Sequence, residues 1–102
     1  MTDVAAFTQA CCIGAAHPAL SGHFPGRPLV PGVVLLEQVA LALRSWRKQR
    51  MVRVLEAKFI APLLPEQTAQ VCLTAMFGDT RARFEIQRDG IVLARGVVEG
   101  AT

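Results

Sequence analysis

The sequence predicts an α+β fold in which an antiparallel sheet curls around one long helix. Residues 33–43 are apolar except for Glu37 and Gln38, and a helix apolar on nearly all sides is one that its surroundings bury. Beyond residue 50 the chain breaks into short segments in which apolar and polar residues alternate, the two-residue period of half-buried strands. Asp89 and Gly90 separate two of these segments and form a two-residue hairpin signal. A single helix followed by consecutive antiparallel strands can bury its apolar surface only by packing against one face of the sheet they form.

Taken in order, residues 4–13 are expected to form a first strand through Phe7, Thr8, Cys11 and Ile13, although Ala15 and Ala16 equally suit a helical continuation. His17-Pro18 ends it. The next stretch holds His23, Pro25, Gly26, Pro28, Pro31 and Gly32. Proline fixes φ and glycine opens conformations closed to other residues, so this backbone is held on one unusual path. Pro31 and Gly32 stand where a helix begins, and proline is favoured at the first helical position. The helix is predicted over 31–48, with Arg44, Arg47 and Lys48 in its last turns, where positive charge complements the dipole. Strands are predicted over 52–61, 69–77, 81–88 and 91–99. The first places Leu55, Ala57 and Phe59 on one face, and the second alternates through Val71, Leu73, Ala75 and Phe77. In the third, Arg81, Arg83, Glu85 and Gln87 alternate with Ala82, Phe84 and Ile86. Pro62 and Pro65 mark a loop and Gly78-Asp79 a turn. No repeat, low-complexity segment or linker interrupts the pattern.

Length and composition bound the function. At 102 residues the chain reads as one domain, residues 1–102. A hydrophobic fraction of 52% and a mean hydropathy of +0.36 are high for so small a globule, which has too much surface for its volume to hide that apolar area alone. Association into a dimer or larger assembly is expected. A net charge of +3 and a pI near 9.1 suit an acidic protein partner. Without a dense basic run or interleaved aromatics they do not point to nucleic acid. Cys11, Cys12 and Cys72 are odd in number and contain no C-x-x-C pair, which reads as reduced thiols. Cys11 and Cys12 with His17 and His23 match no common metal-site spacing. No secretory signal is expected, because the N-terminus lacks a basic region. No apolar run approaches the roughly 20 residues that span a bilayer. A soluble, cytoplasmic protein is expected.

Glu37 is the anomaly of the helix. Surrounded by Val33, Val34, Ala40 and Leu41, a carboxyl would be poorly solvated, which raises its pKa and keeps it protonated as a donor. The bland alternative is that Glu37 begins a solvated stripe with Leu41, Arg44 and Lys48. Gln38 beside it either orients substrate or water or fills a polar gap, and His17 is read as structural.

The stretch Gly22, His23, Phe24, Gly26, Pro28, Pro31, Gly32 and Glu37 resembles the active-site signature of the FabZ/FabA-type 3-hydroxyacyl-[acyl-carrier-protein] dehydratases. That signature runs roughly G-H-F-x-G-x-P-x-x-P-G into an apolar helix bearing an acid. A weaker resemblance continues through AKFIAPLLP and the following strands. It implies the hot-dog fold, dimers with continuous sheets, and active sites at the dimer interface, with the histidine from one subunit and the acid from the other. It implies elimination of water from a 3-hydroxyacyl thioester to give the trans-2-enoyl thioester. His23 then removes the C2 proton, a task suited to an imidazole of pKa about 6.5, and Glu37 protonates the departing hydroxide. Gly32, which has no side chain to block approach, offers an N–H at the positive end of the helix to the thioester oxygen. Phe24, Pro31 and Val33 complete the expected substrate contacts. No metal or cofactor is expected.

The implied partner is an acyl-carrier protein bearing a phosphopantetheine-linked chain, with Arg44, Arg47, Lys48, Arg50 and Arg53 as its docking surface. Ordinary helix-end charge is the competing reading of those five residues. Residues 62–67 read PLLPEQ where the longer dehydratases commonly have P-x-x-P-G-D, and the chain has no tyrosine. These departures bear on chain-length preference and pathway, and compact relatives serve aryl-polyene or other specialised-lipid pathways as well as fatty-acid synthesis. Two alternatives stand beside the dehydratase: a hot-dog acyl thioesterase, and a non-catalytic subunit of a hetero-oligomeric dehydratase.

Overall fold

The computed structural model describes residues 6–20, 29–76 and 78–102. Strand β1 spans Ala6–Cys12, helix α1 Gly32–Arg47, β2 Arg50–Phe59, β3 Thr68–Ala75, β4 Arg81–Arg88 and β5 Ile91–Ala101. A single 3-10 turn at Pro18–Leu20 follows His17. The five strands form one antiparallel sheet in the order β1-β3-β4-β5-β2. Each predicted element is present, with ends displaced by a few residues. Phe77 lies outside the described residues.

β4 shows how the sheet is built. Ala82, Phe84 and Ile86 are buried while the residues between them face outward, the burial that a period-two sequence dictates. Asp89 and Gly90, with φ of 53° and 80°, form the turn into β5. Two consecutive positive φ values match the right-handed twist of the strands they join. The inner sheet face meets Val34, Leu35, Val39, Ala42 and Leu43 of α1. Phe7 on β1 stacks on Trp46, with ring centroids 6.3 Å apart. At its far end α1 stops at Lys48, whose φ of 59° is left-handed and whose N–H donates to the Arg44 carbonyl.

Two expectations need correction. Pro31 is not the first helical residue but the residue before it, extended at φ −62° and ψ 150°, and Gly32 opens the helix. More consequentially, α1 is not buried all round in the single chain. The sheet covers one side of the helix only, so Val33 is 64% and Leu41 52% exposed, and Glu37 between them is exposed too. The poor solvation expected for Glu37 is therefore absent from the chain by itself. β2 behaves likewise. It is an edge strand, it contains no buried residue, and Val52, Val54, Leu55 and Phe59 are open to solvent.

Candidate active site

The start of α1 is built as a polar end set in apolar walls. No side chain among the described residues caps the start of the helix. The N–H groups of Val34 and Leu35 both donate to the Pro31 carbonyl, which leaves those of Gly32 and Val33 without an acceptor among the described residues. Such orphan donors carry the positive end of the helix dipole. Beside them lies a cleft of about 510 Å³ lined by Leu29, Val30, Pro31, Gly32, Leu35 and residues 59–63. Its far wall is fixed at Leu93 of β5. Between Ile86 and Gln87 the register of β4 against β5 shifts past Leu93, and on the other edge of β5 the Leu93 carbonyl accepts from the N–H groups of Ile60 (2.7 Å) and Ala61 (3.1 Å) where β2 ends. The near wall is tied to it where Val30 N–H donates to the Leu63 carbonyl at 2.9 Å.

At Gly32 a side chain would push the tip of the Phe59 ring aside. A Cβ there would fall 2.8 Å from Phe59 Cζ and 3.1 Å from both flanking ring carbons. The Phe59 ring thus lies against the first turn of the helix while half of its surface remains exposed.

Glu37 does not share this cleft. Five residues along an α-helix turn a side chain by about 140° from Gly32 and move it about 7.5 Å along the axis. Of the buried residues, Leu35, Val39, Ala42 and Leu43 lie across the axis from it, while buried Val34 lies about 60° from it on the same side. Val33, Glu37, Leu41 and Arg44 form the open stripe, and no ion pair reaches Glu37 among the described residues. Of the expected substrate contacts, Gly32 and Pro31 line the cleft, while Val33 heads the open stripe instead. His23 and Phe24 fall outside the described residues.

The five basic residues separate into two kinds. Arg47 lies 4.2 Å above the Trp46 ring and donates to the carbonyls of Asp79 and Arg81 at 3.2 Å, so it fastens the helix end to the β3–β4 turn. Arg53 stands 3.6 Å from Glu99. Arg44, Lys48 and Arg50 make no such ties among the described residues and, with Thr102, line a shallow groove of about 280 Å³. No group of three or more His, Cys, Asp or Glu side chains converges among the described residues. No described helix is long and apolar enough to cross a membrane.

Residues 2–97 match the ApeI-like family, described as ApeI dehydratase. The chain belongs to the ApeI-like dehydratase family. Among curated relatives it is 31% identical over 94 residues to the 3-hydroxyacyl-[acyl-carrier-protein] dehydratase FabZ of Rhodopseudomonas palustris (strain HaA2), covering 81% of this chain and 62% of that one. It is 37% identical over 69 residues to the FabZ of strain TIE-1, covering 57% and 46%. The chain therefore spans about half to three fifths of the length of these FabZ proteins. The dehydratase heterocomplex ApeI:P from Xenorhabdus doucetiae superposes with a TM-score of 0.80 at 19% identity, over 95% of this chain and 88% of that one. An uncharacterised protein from Erwinia carotovora subsp. atroseptica superposes at 0.79 with 22% identity, over 99% and 87%. The curled five-stranded sheet around one helix is the hot-dog fold.

Relative to this ApeI-like fold, the sequence reading omitted Phe59, Leu35 and the wall from Ile60 to Leu63. The AKFIAPLLP resemblance was the available signal. Strand alternation assigned Phe59 to a core face and so concealed its place at the cleft.

Proposed function

We propose that this chain is a 3-hydroxyacyl-[acyl-carrier-protein] dehydratase whose active site forms between two hot-dog protomers. The observation that carries the reading is the separation of cleft and acid. Gly32 and the cleft beside it lie at the first turn of α1, while Glu37 lies about 140° further around the axis, centred on an open stripe between exposed Val33 and Leu41. An acid so placed serves a cleft on another chain.

In that arrangement His23 of one protomer takes the C2 proton, and the Gly32 N–H steadies the charge that develops on the thioester oxygen. Glu37 of the other protomer gives its proton to the C3 hydroxyl as it leaves as water. Covering Val33 and Leu41 with a second protomer excludes bulk water from around Glu37. Phe59 and Leu35 supply apolar contact for the acyl chain. Arg44, Lys48 and Arg50 offer the carrier protein a cationic face. Arg47 and Arg53, already engaged, contribute less. The edge strand β2, with its row of unpaired backbone groups and its exposed apolar side chains, is the surface on which the second protomer pairs. That protomer is a second copy or, as in the ApeI:P heterocomplex, a different hot-dog subunit. In the latter case the purified chain is inactive until its partner is supplied.

Mass spectrometry of a panel of 3-hydroxyacyl carrier-protein substrates after incubation tests the reading. Loss of one water from the acyl chain is the expected result. Release of a free carrier thiol would instead make the chain a thioesterase.

A further inference from the structure

The cationic groove at the far end of α1 shares a side of the helix with Glu37, not with the cleft. Arg44 stands about 10.5 Å beyond Glu37 along the axis and within about 20° of its direction. From Gly32 the same residue is about 18 Å along the axis and about 120° around it. Leu41, between Glu37 and Arg44, is exposed, so acid, apolar step and cation follow one another along the open stripe. Lys48 closes the helix and Arg50 opens β2, and both line the groove with Arg44 and Thr102.

The charge in this groove is surplus to the fold. Helix-end complementarity suits Arg44 and Lys48, but the negative end of a helix amounts to about half a charge, and Arg50 lies outside the helix. No acid pairs with any of the three among the described residues. Glu99 of β5 is taken up by Arg53 at 3.6 Å and Arg81 at 3.9 Å. The groove thus suits an anion from outside the chain, and arginine forks match phosphate oxygens in particular. In the dehydratase reading above, the substrate hangs on a phosphopantetheine arm. From phosphate to sulphur that arm runs about thirteen bonds, or about 15 Å when extended. With the reacting carbons at Glu37, its phosphate reaches Arg44 along the stripe. With the thioester at Gly32 of the same chain, it would have to follow the helix for about 18 Å and also pass around it, farther than the arm extends. We infer that Arg44, Lys48 and Arg50 grip the phosphate of the substrate arm for the cleft of the other protomer. One chain then supplies acid and phosphate grip together, and its partner supplies the cleft.

The inference rests on the two-protomer dehydratase reading, and its test has two parts. The first compares 3-hydroxyacyl thioesters of pantetheine and of phosphopantetheine, with the chain alone or with the assembly if a partner is required. Wild type should show a KM about tenfold lower for the phosphorylated thioester, the worth of one charge-assisted hydrogen bond. The triple variant Arg44→Gln, Lys48→Gln, Arg50→Gln should erase that difference by raising the KM of the phosphorylated thioester alone, with kcat little changed. All three positions are exposed, so Tm should hold. Equal KM values in wild type would overturn the inference. So would a triple variant that weakens only carrier-bound substrate, since the groove would then hold acidic side chains of the carrier. If wild type removes no water, the dehydratase reading fails instead, and calorimetry with phosphopantetheine against pantetheine still judges the groove.

The second part decides which protomer's groove is used. Hybrids of Glu37→Gln and Gly32→Leu chains hold one working site, its cleft from the first chain and its acid from the second. Gly32→Val serves if the leucine chain does not fold. The groove substitutions placed on the Gly32-substituted chain should raise KM for the phosphorylated thioester about tenfold. Placed on the Glu37→Gln chain, they should leave it unchanged. The reverse pattern would overturn the inference. With a different partner subunit, the same contrast is expected when this chain carries one or the other substitution. Hybrids that stay inactive after verified exchange, beside an active wild type, would bring down the two-protomer reading itself.

Discussion

β4 and β2 lie in the same sheet and β2 is the more apolar of the two, yet β4 buries its apolar residues in alternation and β2 buries none. β4 has β3 on one side and β5 on the other, and its Ala82, Phe84 and Ile86 belong to the same buried core as Val34, Leu35, Val39, Ala42 and Leu43 of α1. β2 pairs with β5 along one edge only. Its register slips twice, between Met51 and Arg53 and between Val54 and Glu56, which turns out Val52 and Leu55 as unpaired apolar residues. Bulges of this kind bend an edge and guard it against indiscriminate pairing. The open stripe of α1 repeats the contrast within a single helix. Both regions expose apolar surface on one side of the cleft's helix and at the free sheet edge, where a second hot-dog protomer would cover them together.

The contrast can be broken first at β4. Phe84→Ala should destabilise the fold by about 3–5 kcal/mol, read by chemical denaturation, whatever the state of assembly. A loss below about 1 kcal/mol would mean that the core beneath α1 is not close-packed as described.

The paired double variant Val54→Asp with Leu55→Asp should act the other way. Because both positions are open in the single chain, its spectroscopic secondary structure should persist while light scattering reports a monomer. It should also lose dehydratase activity. Retention of the wild-type oligomer would show that β2 is not the pairing edge.

At the β4–β5 turn, Gly90→Ala should cost about 1 kcal/mol, since a Cβ at positive φ is strained, with no change in oligomeric state. The smallest effect concerns the thiols. Burial, with Cys12 alongside, pushes the Cys11 thiol above its usual pKa, whereas Cys12 is exposed. In the folded protein an alkylating reagent should therefore label Cys12 well before Cys11. Equal labelling would indicate that β1 opens readily.

The sequence made β4 and its hairpin readable because alternation and Asp-Gly are local signals that tertiary context reinforced. It could not show β2 as open. Alternation reports which side chains share a face, and it is silent on whether a neighbour covers that face. The same gap explains Glu37. Its place on an apolar helix was legible, but the assumption that apolar neighbours bury it fails where the neighbours themselves are exposed. Phe59 was legible as an apolar strand residue, yet its contact with Gly32 depends on how β2 ends against the first turn of α1. His23 and its role are read from the signature alone, since residues 21–28 lie outside those described.

The central claim is that cleft and acid come from different chains, and subunit mixing tests it most directly. His23→Ala and Glu37→Gln are each expected to lower turnover by about 10²-fold or more, as loss of a catalytic base or acid does. Mixed under conditions that exchange subunits, they form hybrids in which one site holds both defects and the other holds neither. Random two-fold pairing makes about half the dimers hybrid with one working site of two, so activity should return to roughly a quarter of wild type. Where the wild-type chain is active by itself, continued inactivity after exchange has been verified would mean that each site is completed within one chain, contradicting the account.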